Sequence, residues 1–310
     1  MTRISVTRKI EKKPVLIYHI GALIAVTAWG AAFISTKILL QNGLSAVEIY
    51  VYRFLLAYIF TLVICPKPFF SNSLRHEMMF LLCGVCGGSV YFIAENTAVE
   101  YTLVSNVSLI TATSPLLTTM LVAMLYKSER VSRPMIIGSL VALAGVGCVI
   151  FNSSVVVKVN PLGDMLALLA AICWAVYSVI LRPLSALYGT WFITRKTFFY
   201  GIVTALPFMM MESTHAPLEV LLERDVMFNM LFLGLFASLT AYLLWSGAVK
   251  HLGAVKSGNY LYVSPIVTLV MSALILHEEV SAVGYIGCSL ILIGLILSEK
   301  LGDRHNEKTK

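Results

Sequence analysis

Ten apolar runs, each about as long as a bilayer is thick, take up most of this 310-residue chain. They fall at about 16–40, 47–64, 77–98, 102–125, 134–151, 162–182, 191–211, 226–248, 256–276 and 281–298. A helix needs roughly 20 apolar residues to cross the hydrocarbon layer, where every backbone N–H and C=O has to be satisfied within the segment. Only 13% of the residues are charged, against about 25% in a soluble domain. That leaves too little polar surface to cover a water-soluble globule. The expected fold class is therefore all-α integral membrane, with ten transmembrane helices and membrane lipid as the surrounding partner. The first run extends beyond the apolar core of a secretory signal and has a counterpart later in the chain, so it reads as a retained helix.

The chain also repeats itself. At a fixed offset of 150, Ala98, Val99, Ser114, Pro115, Thr118, Ala123 and Glu129 recur as Ala248, Val249, Ser264, Pro265, Thr268, Ala273 and Glu279. Ser-Pro and Glu are not residues that apolar composition alone would align. Trp29 and Lys37 match Trp174 and Arg182 at an offset of 145, and Gly138 and Gly145 match Gly287 and Gly294 at 149. Arg53 in "YRFLLA" resembles Arg195 in "TRKTFF". An internal repeat in so apolar a chain points to a transporter built from two halves.

Cations set the orientation. With the N-terminus in the cytoplasm, all Lys and Arg fall on that side except Lys37, Arg53, Lys158 and Arg224, as the positive-inside rule asks. Both termini are then cytoplasmic. Five runs in each half is an odd number, so the second half enters the membrane in the opposite sense. The expected organisation is a cytoplasmic tail at 1–15, a five-helix repeat at 16–151, a linker at 152–161, an inverted five-helix repeat at 162–298 and a cytoplasmic tail at 299–310. The net charge of +7 is spread between the runs and not gathered in one patch, which argues against a nucleic-acid partner.

The motifs carry a resemblance. "AWGAAFISTK" with "YRFLLAY", "NTAVEYTLVSNVSLITATSPLLTTMLVAMLYKSERVSRPMIIGSLVALAGVGCVI" and "GAVKHLGAVKSGNYLYVSPIVTLVMSALILHEEVSAVGYIGCSLILIGLIL" resemble the drug/metabolite transporter superfamily, EamA type, over nearly the whole chain. The resemblance implies ten helices in two inverted five-helix repeats around a central cavity, with alternating access. It implies movement of amino acids, other metabolites or organic cations, often outward, across a bacterial inner membrane. Glu95-Asn96 departs from the aromatic or small residues of many relatives.

Charged residues deep in a span face a cavity or a partner. Glu95, with Tyr91 four residues earlier on the same helix face, reads as a cavity carboxylate that attracts an ammonium group or carries a proton, or as a structural Glu paired with an Arg or sitting in the outer interface. Arg53 reads as a fork for a substrate carboxylate, or as a structural group that bonds helix ends or pairs with Glu48. Asn96, Trp29, Trp245, Ser246, Asn259 and Tyr260 complete the expected substrate-binding set, since aromatic faces hold apolar bodies or cations; interfacial belts are the alternative for the rings. Pro115 and Pro265 read as paired hinges or as fixed kinks, with Ser or water satisfying the freed carbonyls. The glycine-rich fifth and tenth runs read as packing or dimer helices, so the chain is expected to be a monomer or a homodimer.

Other functions find little support. A membrane enzyme on a lipid-linked substrate needs paired acids or His/Asp clusters at one face, and the six His are scattered. Cys83 and Cys86 have C-x-x-C spacing without a second pair, so no metal site is expected. No phosphate-binding loop of the P-loop type occurs, and no cofactor is called for. The expected function is secondary transport of small metabolites, amino acids or amphipathic amines, with export as the direction.

Overall fold

A computed structural model describes residues 15–102, 104–125, 133–150, 161–213, 215–275 and 282–307. All regular structure among these residues is helical. The helices are α1 (Leu16–Gln41), α2 (Ala46–Ile64), α3 (Leu74–Tyr101), α4 (Val104–Thr111), α5 (Ser114–Leu125), α6 (Arg133–Ile150), α7 (Pro161–Leu187), α8 (Thr190–Met211), α9 (Arg224–Leu252), α10 (Ala254–Ile275) and α11 (Ala282–Glu307). Six of them, α1, α2, α3, α7, α9 and α10, are long and apolar enough to cross a membrane. Glu129 and Glu279 lie outside the described residues.

Local chemistry sets the helix ends. Ser45 caps α2: its Oγ accepts from Glu48 N at 3.0 Å while Ser45 N donates to Glu48 Oε2 at 3.0 Å, a reciprocal box that satisfies two orphan donors. Gly253 joins α9 to α10 at φ +89°, a conformation that side chains with a Cβ rarely adopt.

The fourth apolar run is two helices, α4 and α5, parted at Ala112 and Thr113. Pro115 is the cause. Proline lacks the N–H that would bond Thr111 O and disfavours helical backbone before it, so it sits in the first turn of a new helix. Ser114 Oγ donates to Thr111 O at 2.5 Å in place of the missing bond. In α10 the same Ser-Pro follows a 3-10 turn at Tyr260–Val263. Thr118 Oγ1 and Thr268 Oγ1, a repeat pair, both donate to the carbonyl of the Ser before the proline, at 2.8 and 3.1 Å.

Two contacts organise the packing. Helices α6 and α11 lie against each other through glycines. A Cβ on Gly145 would come within 2.7 Å of Gly287 O, and one on Gly294 within 2.5 Å of Gly138 O. The packing role expected for this pair is what the helices show; small residues let backbones approach where lipid supplies no hydrophobic drive. At the centre, the repeat-related Trp29 and Trp174 meet edge to face, ring centroids 5.0 Å apart. Beside them Tyr50, Phe54, Tyr177, Phe198, Tyr242 and Trp245 form a buried aromatic plug. Each third helix of its half also contains a π-helical stretch, Val85–Ser89 in α3 and Phe232–Thr240 in α9. The first leaves Gly87 O to accept from Tyr242 Oη, tying α3 to α9.

The segment between α2 and α3 is held from α8. Arg195 donates Nη1 to Cys65 O and Nη2 to Pro68 O. Lys196 Nζ bonds Phe69 O at 3.1 Å and pairs with Glu77 Oε2 at 2.7 Å.

Candidate functional site

A cavity opens beside the tryptophan pair. It encloses about 630 Å³ of space outside protein atoms, its open mouth included. Its walls come from the C-terminal halves of α1 and α3, from α4, from single positions of α2, α5 and α7, and from two of α10. On α1 the lining residues are Trp29, Ala32, Phe33 and Thr36, and on α3 Tyr91, Phe92, Glu95, Asn96 and Val99. Each set is one helical face, recurring at three and four residues.

The polar groups are few. Glu95 is 8% exposed and accepts a 2.6 Å hydrogen bond from Tyr91 Oη. Arg53 is 1% exposed and donates Nε to Ser238 Oγ, on the π-helical stretch of α9, at 2.9 Å. Its guanidinium lies 4.6 Å from the centroid of the Phe92 ring. Arg53 Nη2 and Trp174 Nε1 are buried without a hydrogen-bond partner among the described residues. Arg53 does not pair with Glu48. That carboxylate is taken by Ser45 N, by Ala216 N at 2.8 Å and by His215 Nδ1 at 3.4 Å.

The structure brings together Trp29, Arg53, Tyr91, Glu95 and Asn96 on this cavity. Asn96 also anchors α3 to the start of α2, its Nδ2 donating to Ala46 O at 3.0 Å. Four expected residues stand elsewhere. Trp245, 0% exposed, lies in the plug at 5.2 Å from Trp29 and 5.9 Å from Trp174. Ser246 is buried beside it, and Asn259 is buried in α10. Tyr260 Oη bonds His19 Nδ1 at 2.7 Å, and Leu261 and Ser264 present α10 to the cavity instead. The reason is helical phase: one residue along α10 turns a side chain by about 100°. Thr36, Phe92, Ser108 and Thr111 line the site without having been placed in it from sequence, whereas Trp174 was among the rings expected to line it. The signal for Thr36 was its i, i+7 spacing from Trp29. Among the described residues no three His, Cys, Asp or Glu gather as a metal group.

Apolar helices around a buried polar cavity define a multi-pass membrane protein. The description "EamA-like transporter family" matches residues 16–151 and again residues 161–299. The chain belongs to this family of transporters, within the drug/metabolite transporter superfamily. It is 26% identical to an "Uncharacterized transporter" of Clostridium kluyveri, over 94% of this chain and 96% of that one. It is 26% identical to a "Probable terminal-alkyne amino-acid exporter" of Streptantibioticus cattleyicolor, over 93% and 95%. A "Probable amino-acid metabolite efflux pump" of Escherichia coli is 23% identical, over 89% and 93%. A protein of known crystal structure superposes with a TM-score of 0.71 at 19% identity, covering 94% of this chain and 98% of the other; it shares the fold.

Proposed function

We propose that this protein is a secondary transporter that moves small metabolites, amino acids or amphipathic amines, outward across a bacterial inner membrane by alternating access. In this reading the helices make ten crossings as two inverted five-helix repeats, 16–151 and 162–298, with both termini in the cytoplasm and a monomer or homodimer as the working unit. The observation that carries it is Glu95, a buried carboxylate facing a cavity where the repeat-related tryptophans Trp29 and Trp174 meet. An acid so placed is expensive unless something polar visits it.

Three further features support the reading. The π-helical stretches recur in α3 and α9, the Ser-Pro breaks recur before α5 and within α10, and the glycine contacts of α6 and α11 are reciprocal. Paired breaks at Pro115 and Pro265 are suitable hinges for one half to rock against the other. The plug holds Tyr50 Oη and Trp245 Nε1 buried without partners among the described residues; both would gain water if the plug opened to the opposite side. The names of the S. cattleyicolor and E. coli relatives agree with an amino-acid cargo.

The test is efflux of labelled amino acids and amines from proteoliposomes holding the purified protein. Wild type should release at least one of them and Glu95→Gln should slow it at least tenfold. Equal rates for both proteins would remove Glu95 from transport.

A further inference from the structure

Two backbone carbonyls at matching places in the halves each accept from an aromatic side chain of the opposite half. Trp29 Nε1 on α1 donates to Ala237 O at 2.8 Å. Tyr242 Oη on α9 donates to Gly87 O. Gly87 and Ala237 are 150 residues apart, the offset of the Ser-Pro repeat, and each lies in the π-helical stretch of its half. Gly84 and Gly234 stand at the same offset. A Cβ on Gly84 would come within 2.6 Å of Gly201 N in α8, and one on Gly234 within 2.6 Å of Leu56 Cδ2 in α2. Each third helix is therefore pressed, beside its accepting carbonyl, against the second helix of the other half. Stretches of π-helix are rare and concentrate at functional sites.

The donors break this symmetry. Trp29 and Trp174 are repeat mates, so a strict repeat would put Trp174 Nε1 on Gly87 O. Tyr242 holds that carbonyl instead, and the residue 150 places before it is Phe92, which has no hydroxyl. Trp174 Nε1 is buried without a hydrogen-bond partner among the described residues, and an indole N–H can only donate. The ring stands close to the vacant role. Its centroid is 5.1 Å from that of Tyr177 and 6.0 Å from that of Tyr242. Tyr177 in turn lies so near Gly87 that a Cβ there would fall 2.4 Å from its ring.

Two inverted halves can exchange conformations, and the exchanged arrangement opens to the other face. We propose that Gly87 O and Ala237 O are the two seats of a switch between the halves. In the present state Trp29 fills one seat and Tyr242 shuts the other. In the exchanged state Trp174 donates to Gly87 O, Tyr242 lets go and Trp29 leaves Ala237 O. Tyr242 is not among the residues lining the cavity; it is a positioning residue that sets which state is favoured. The inference rests on the inverted-repeat, alternating-access reading above and deepens it.

The reporter is Ser246→Cys. Ser246 is 0% exposed and lies past the plug toward the end of α9, where Tyr18 at the start of α1 stacks on His251 at 3.7 Å. The cavity lies at the other ends of α1 and α3. Purified full-length protein carrying Ser246→Cys is treated with a charged, water-soluble maleimide. Protein without that substitution controls for the native cysteines, and the melting temperature of each variant is measured. Adding Tyr242→Phe removes only a hydroxyl and should raise the labelling rate by about threefold or more, since losing one bond shifts a two-state population. Trp29→Phe should raise it too. Trp174→Phe removes the donor that the exchanged state needs and should lower the rate by about threefold or more. The opposite signs are the signature, because loosened packing would speed labelling in every variant. If Tyr242→Phe does not fold, Trp29→Phe and Trp174→Phe carry the same comparison.

Equal labelling with and without Tyr242→Phe, at an unchanged melting temperature, overturns the inference, as does a rise in all three variants. The predicted signs without efflux of any amino acid or amine leave the switch standing and remove the cargo reading. Efflux with labelling indifferent to all three residues does the reverse.

Discussion

Arg53 and Arg195 occupy similar places, each early in the second helix of its half, and each is at most 2% exposed. Their surroundings differ. Arg195 spends both terminal nitrogens on the carbonyls of Cys65 and Pro68, with Phe69 and Phe192 over its guanidinium. Arg53 makes one hydrogen bond among the described residues, to Ser238, and is one of the residues that line the cavity. Recurrence in a repeat therefore preserved a buried arginine and not its task. The saturated one holds a connecting segment against α8. The unsaturated one stands beside the cavity with Nη2 unpartnered among the described residues.

The same contrast separates the plug from the cavity, and mutations can break it. Trp245→Ala should have the largest effect, a loss of about 3–5 kcal/mol of stability as expected for a deleted buried tryptophan, read as a large fall in melting temperature and folded yield. A variant that keeps its melting temperature while losing substrate affinity would move Trp245 into the site. Arg195→Met should follow, at about 3 kcal/mol for two hydrogen bonds from a charged group, again in thermal unfolding. Little change there would erase the difference from Arg53. Glu95→Gln should leave the melting temperature near wild type and slow efflux at least tenfold, about 1.4 kcal/mol on the barrier. Unfolding without a selective transport defect would make Glu95 a structural acid. Tyr260→Phe should be mildest, about 1 kcal/mol for the lost bond to His19, with transport unchanged; a strong transport defect would bring Tyr260 back to the substrate.

Much of this was legible in the residues. Apolar run length gave the all-helical membrane class, and the offset of 150 gave the matching Ser-Pro breaks. Tyr91 and Glu95, four apart, do share a helix face and a hydrogen bond. Trp245 and Tyr260 stand off the cavity lining because aromatic character does not encode helical phase. Trp245 points into packed rings and Tyr260 toward His19, while their neighbours on the chain face other ways. The partner of Arg53 was out of reach for a different reason. Ser238 is 185 residues away and is presented by a π-helical stretch, and π-helical geometry leaves little trace in a run of apolar residues.

The central claim is that two halves cross the membrane in opposite senses with an odd number of helices each. Its most direct test is a pair of sidedness reporters, one fused to each end of the same protein in intact cells. Both should report the cytoplasmic face. Reporters on opposite faces would contradict the inverted arrangement, and with it the shared cavity on which the roles of Arg53 and Glu95 depend.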